Sequence, residues 1–73
     1  MAVHNLDFKG LACPQPVLKL QIASMKMAAG DVINVEADCS TFNSDIQSWC
    51  SRMGKILVSC SKDGNVWKAQ IQL

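Results

Sequence analysis

The stretch from Phe42 to Met53 constrains this chain most. Phe42, Ile46, Trp49, Cys50 and Met53 recur at i, i+4, i+7, i+8 and i+11, with Asn43, Gln47, Ser48, Ser51 and Arg52 between them. That spacing draws one apolar stripe down an α-helix. Ser40 or Thr41 can cap its start and Gly54 can stop it. An amphipathic helix needs an apolar surface to lie on, and the flanking segments supply one because their period changes to two. Across Asp31 to Asp38, Ile33, Val35 and Ala37 alternate with Asn34 and Glu36; across Val66 to Leu73, Trp67, Ala69 and Ile71 alternate with Lys68, Gln70 and Gln72. Both read as strands with one dry face.

Three further elements complete the order. Ile56 to Ser61 reads as a strand with Cys60 alternating with Ile56 and Val58, joined to the last strand through Lys62-Asp63-Gly64-Asn65, where Asp-Gly signals a hairpin. Val3 to Phe8 reads as a short first strand, with Leu6 and Phe8 on one face and Asp7 on the other. Pro16 to Ala29 reads as a helix that buries Val17, Leu18, Ile22, Met25, Ala28 and Ala29 and stops at Gly30. Its other side then shows Leu20 and Met27, one heptad apart, beside Lys19, Ala23 and Lys26. An exposed apolar pair rimmed by lysines suggests a docking surface.

The order β-α-β-α-β-β predicts an α+β fold. Right-handed crossovers place both helices on one face of a four-stranded mixed sheet, a two-layer α/β sandwich whose other face is wet. Residues 1–73 make a single domain on this reading, since 73 residues hold one core.

Seven Lys and Arg stand against six Asp and Glu, with no basic stripe, which sets direct nucleic-acid binding aside. No apolar run reaches membrane-spanning length, and Met1-Ala2-Val3-His4 lacks a signal pattern. A cytoplasmic setting is therefore expected, with the four cysteines reduced. Cys13, Cys39, Cys50 and Cys60 form neither a C-x-x-C pair nor a zinc spacing, so no metal is expected. Cys50 and Cys60 fall on apolar faces and read as core residues, and Trp49 and Trp67 as core anchors. His4, the single histidine, leaves no Ser-His-acid order to draw.

Cys13 is different. It stands in Gly10-Leu11-Ala12-Cys13-Pro14-Gln15-Pro16, between a glycine turn and two prolines that open a helix. Proline suits a first helical turn because its missing N–H would lack an intrahelical partner there. The unpaired N–H groups and the positive dipole end favour a thiolate at such a place, and Lys9 adds to that field. With no general base near it in sequence, a nucleophilic cysteine suits sulfur exchange, which needs a good sulfur nucleophile and a stable leaving thiolate. The residues alone leave a second reading open, a capping or buried cysteine without reactivity.

Several pieces together resemble the TusA/SirA-like sulfur-carrier family: Leu6-Asp7-Phe8-Lys9-Gly10-Leu11-Ala12-Cys13-Pro14-Gln15-Pro16, then Gly30-Asp31 leading a strand that ends at Asp38, then Asp45-Ile46, then Gly54 and a terminal hairpin. The resemblance runs the length of the chain. It implies the same sandwich, and it implies that Cys13 carries sulfur as a persulfide, with Gly10, Pro14, Gln15 and Pro16 as its positioning frame and no cofactor or metal. The protein is then a persulfide relay rather than a stand-alone catalyst. Implied partners are a sulfur donor, a cysteine desulfurase or rhodanese-like enzyme, and an acceptor protein; a carrier that visits both is usefully monomeric.

Ala12, Gln15 and Asp38-Cys39-Ser40 depart from the tRNA-thiolation members, and the Asp38-Cys39 pair resembles the YeeD/YedF-like branches, the first of them linked to a membrane thiosulfate transporter. Cys39 is a candidate second thiol that could resolve a persulfide or pair with Cys13. Lys9, Leu20, Met27 and Asp45 are candidate partner contacts. Two other functions stay open beside the carrier: a regulatory or interaction module on the same fold, and a Cys13/Cys39 dithiol redox protein.

Overall fold

The computed structural model describes residues 2–12 and 15–73. Its elements are β1 (Val3–Asp7), α1 (Gln15–Ser24), β2 (Val32–Ala37), α2 (Phe42–Met53), β3 (Ile56–Asp63) and β4 (Val66–Gln72). The strands form one sheet in the order β1-β2-β4-β3, with β1 parallel to β2 and β4 antiparallel to both β2 and β3. This is the expected α+β sandwich. α1 connects the parallel neighbours β1 and β2. α2 carries the chain across to β3, leaving a gap that β4 fills in the opposite direction.

One core joins the two layers. Ile33, Val35 and Ala37 of β2 and Ala69 and Ile71 of β4 meet Val17 and Leu20 of α1 and Phe42, Ile46, Trp49 and Cys50 of α2. The other sheet face carries Asn5, Asn34 and Gln70 in one row and Asp7, Glu36 and Lys68 in the next. Polar side chains keep that face in water. Because β1 and β2 run parallel, the segment after Asp7 and the segment after Ala37 leave the sheet at the same end. At the far end, Ala2 C=O accepts from Val32 N–H at 2.8 Å and Leu73 N–H donates to Asp31 C=O at 2.9 Å, so both chain ends flank the start of β2.

α2 matches its predicted span and stripe, although Met53 at its last turn is exposed. Gly54 ends it in the left-handed region at φ +68°. Thr41 is the N-cap residue but does not cap with its side chain, since its hydroxyl donates to Asp45 Oδ2 at 3.0 Å. The hairpin turn is the pair Gly64-Asn65, with Gly64 at φ +63°. Positive φ at the first turn residue alone suits the tight turns that follow the strands' twist.

Two expectations are overturned. α1 stops at Ser24 and not at Ala29, and residues 25–30 continue as turns. It is also rotated relative to the predicted face: Pro16, Val17 and Leu20 are buried, while Leu18, Ile22 and Met25 are 56%, 59% and 73% exposed. The helix is apolar on both sides, so counting apolar residues cannot choose between them. Leu20, with no exposed surface, is therefore withdrawn as a partner contact. In β3 a bulge between Leu57 and Ser59 breaks the alternation. Leu57 and Cys60 pack against the core while Ile56 and Val58 face solvent, because an extra residue turns the side chains after it to the opposite face.

Candidate functional site

The segment leading to Cys13 is held by a carboxylate from the neighbouring strand end. β1 pairs one residue beyond its last strand position, Phe8 N–H donating to Glu36 C=O at 2.8 Å. Asp7 then turns the chain, its Oδ1 accepting from Lys9 N–H at 3.0 Å, the local bond that makes Asp a turn residue. Gly10 takes φ +87°, open to glycine and strained for other residues. Its N–H points at Asp38 and donates to Oδ1 at 3.0 Å and Oδ2 at 3.1 Å. Gln15 N–H donates to Ala12 C=O at 2.8 Å, so the chain is tied on both sides of positions 13 and 14.

Cys13 and Pro14 lie outside the described residues. The frame around them is clear. Ala12 and Gln15 are exposed, and Pro16 is fully buried in the first turn of α1, rooting the helix start in the core. That first turn contains no acidic residue to offset the dipole, so its positive end is uncompensated from within the helix. Lys9 Nζ reaches Asp7 Oδ2 at 3.9 Å with both side chains largely in solvent, an ion pair too wet to contribute much.

Cys39 stands immediately after Asp38 and is 6% exposed, its Sγ 3.6 Å from Thr41 Oγ1. It is disulfide-bonded, which overturns the expectation that all four cysteines are reduced. Asp45 is half-buried and occupied by the Thr41 hydroxyl. Met27 is half-buried against the core. Cys50 and Cys60 are free thiols of another kind. Burial pushes the Cys50 thiol up, and the nearness of Cys60 pushes it further. Burial also raises Cys60, which donates to Asn43 Oδ1 at 3.6 Å. Neither is prepared as a nucleophile. Among the described residues no group of three or more His, Cys, Asp and Glu could hold a metal ion.

Two carboxylates escaped the sequence reading as organising residues. Asp38 was visible as the strand's last acidic residue, but its grip on Gly10 needs the parallel register. Asp31 sits at the other end of the sheet, 7% exposed. It binds His4 Nε2 at 2.9 Å, Ala2 N–H at 3.1 Å and Ala28 N–H at 3.2 Å. The His4 bond, then the two backbone N–H groups, hold its pKa down at about 2. His4 thus serves this clamp, far from Gly10.

The family model for sulfurtransferase TusA matches residues 4–73. The chain belongs to the TusA family. A Neisseria meningitidis serogroup A protein named as a candidate sulfur carrier is 32% identical over 72 residues, covering 99% of this chain and 97% of the relative. Bacillus subtilis YrkI, also named as a candidate sulfur carrier, is 31% identical over 67 residues, covering 92% and 89%. Among solved structures, a SirA-like protein from Desulfitobacterium hafniense superposes with a TM-score of 0.77 at 27% identity, covering 99% of this chain and 96% of that one. The TusA fold accounts for the parallel β1–β2 pair that brings Gly10 and Asp38 together.

Proposed function

We propose that this TusA-family chain is a sulfur carrier that holds sulfane sulfur on Cys13 as a persulfide and hands it to a partner protein in the cytoplasm. The observation that carries the reading is the Asp38–Gly10 tie: it seats the segment before Cys13 at the start of a helix whose first turn holds no acid. In the loading step the Cys13 thiolate attacks the terminal sulfur of a donor persulfide. A new S–S bond forms at Cys13, the donor's S–S bond breaks, and the donor leaves as a thiolate. Unloading is the same exchange with an acceptor thiolate attacking the outer sulfur. Neither direction needs an outside oxidant or a general base. Asp38-Cys39 favours the YeeD/YedF-like branches and thiosulfate-derived sulfur, and Gln15 departs from the tRNA-thiolation pattern.

Incubation with a cysteine desulfurase and cysteine, or with a rhodanese and thiosulfate, should add ~32 Da, one sulfur, at Cys13. Equal uptake by Cys13→Ser would refute the site. Absence of uptake from either donor, with partner binding intact in Cys13→Ser, would favour an interaction module instead.

A second reading, a Cys13/Cys39 dithiol pair, is favoured by one observation: Asp38, next to Cys39, is the residue that holds Gly10. Here, in the reduced protein, the Cys39 thiolate attacks the inner sulfur of the Cys13 persulfide, forming a disulfide and releasing hydrosulfide. It requires sulfide release on reaction of the loaded protein and its loss in Cys39→Ser.

A further inference from the structure

Among the described residues β1 lies at the edge of the sheet with β2 as its one strand neighbour. The opposite edge, β3, is interrupted by its bulge, a device that discourages pairing with other chains. β1 contains no bulge, proline or lysine. Phe8 N–H and Ala2 C=O point toward β2. By the alternation of a strand, the backbone groups of Val3, Asn5 and Asp7 point away from the sheet, ready for another strand.

The inner side of this edge is not closed by α1. A groove of about 490 Å³ runs between them, lined by Leu6 of β1 and Phe8 just after it, by Lys19 and Ile22 of α1, and by Lys26 and Met27 just beyond that helix. Its charge has one sign. Residues 15–30 contain two charged side chains, Lys19 and Lys26, and no acid. Neither lysine is ion-paired among the described residues. Asp31, at the His4 end, is already held by His4, Ala2 and Ala28.

We infer that β1 and the groove beside it are a docking site for an extended segment of a partner protein, which adds as a fifth strand and presents the pattern acid-x-apolar-x-acid to α1. Strand addition derives affinity from main-chain hydrogen bonds and specificity from alternate side chains. The spacing fits. Lys19 of α1 and Lys26 in the turns that follow it both line the groove with Ile22, and two long lysine side chains have the reach to meet acids four residues apart on a strand, ~13 Å. The apolar residue between them lies over Ile22. A second copy of this chain pairing through β1 would bring two acid-free lysine flanks together, so the partner is another protein. The inference goes beyond the carrier reading and does not involve Cys13.

The test uses the full isotope-labelled chain and the capped peptide Thr-Glu-Thr-Ile-Thr-Glu-Thr. NMR titration should shift the amides of Val3, Asn5 and Asp7 together with Ile22. A peptide with Lys for both Glu should bind roughly tenfold more weakly, the combined effect of two exposed ion pairs. The double variant Lys19→Glu, Lys26→Glu should reverse that preference, which a merely damaged fold would not do. N-methylation at alternate peptide bonds should abolish binding, and Cys13→Ser should leave it unchanged. The inference is overturned by equal affinity for the two charge types, by undiminished binding of the N-methylated peptide, by no binding at millimolar concentration, or by sedimentation showing a dimer whose β1 amides are protected before peptide is added.

Discussion

The phase of α1 decides which side chains the chain shows beside β1, and two leucines two positions apart test it. Leu20 has no exposed surface and packs in the core with Val17, whereas Leu18 is 56% exposed. Leu→Ala at a fully buried site costs ~3–5 kcal/mol through lost transfer energy and the cavity left behind. At an exposed helical site it stays within ~0.5 kcal/mol, and alanine's helix propensity offsets part of that. For 73 residues, total stability is of order 4–11 kcal/mol at about 0.05–0.15 kcal/mol per residue. Leu20→Ala should therefore remove about a quarter of it or more and lower Tm by ~10 °C or more, while Leu18→Ala should barely move either. Urea unfolding followed by tryptophan fluorescence measures both, because Trp49 is fully buried. Equal costs, or a larger cost at Leu18, would mean that α1 packs with the other face inward, and the groove assignment would fall with it.

Three further outcomes are expected. Asp38→Ala removes both acceptors of the Gly10 N–H and should slow sulfur loading of Cys13 at a stability cost of ~1 kcal/mol, while Asp38→Asn, which keeps one acceptor, should retain most of the rate in a mass-shift time course. Asp31 has its folded pKa lowered from 3.8 to about 2, so its contribution to stability is complete above pH ~4 and fades as pH falls toward 2; Asp31→Asn should flatten the stability-against-pH curve over that window in acid titrations. In the reduced protein at pH 8, iodoacetamide should modify Cys50 and Cys60 last, since burial raises both thiols, and peptide mass spectrometry gives the order.

The element order was legible because α2 and β2 each keep one unambiguous period. Where an element is apolar on two sides, as α1 is, periodicity loses its power: Leu18, Ile22 and Met25 equal Pro16, Val17 and Leu20 in number, so a count cannot choose between the faces. The β3 bulge is equally silent in Ile56-Leu57-Val58-Ser59, where any alternation can be drawn. For the site, Cys13 was singled out by its glycine and prolines, which act locally. Asp38 was not, because its bond to Gly10 spans 28 positions and exists only once β1 and β2 are parallel.

The placement of both chain ends has a practical consequence. Ala2 and Leu73 border β2 on either side, two strand spacings or ~10 Å apart, at the end of the sheet opposite Gly10 and Asp38. A fusion domain, an affinity tag or a surface anchor joined at either terminus would sit behind the molecule. The Gly10 end would stay forward, so tandem or immobilised copies should present it as openly as the single chain does.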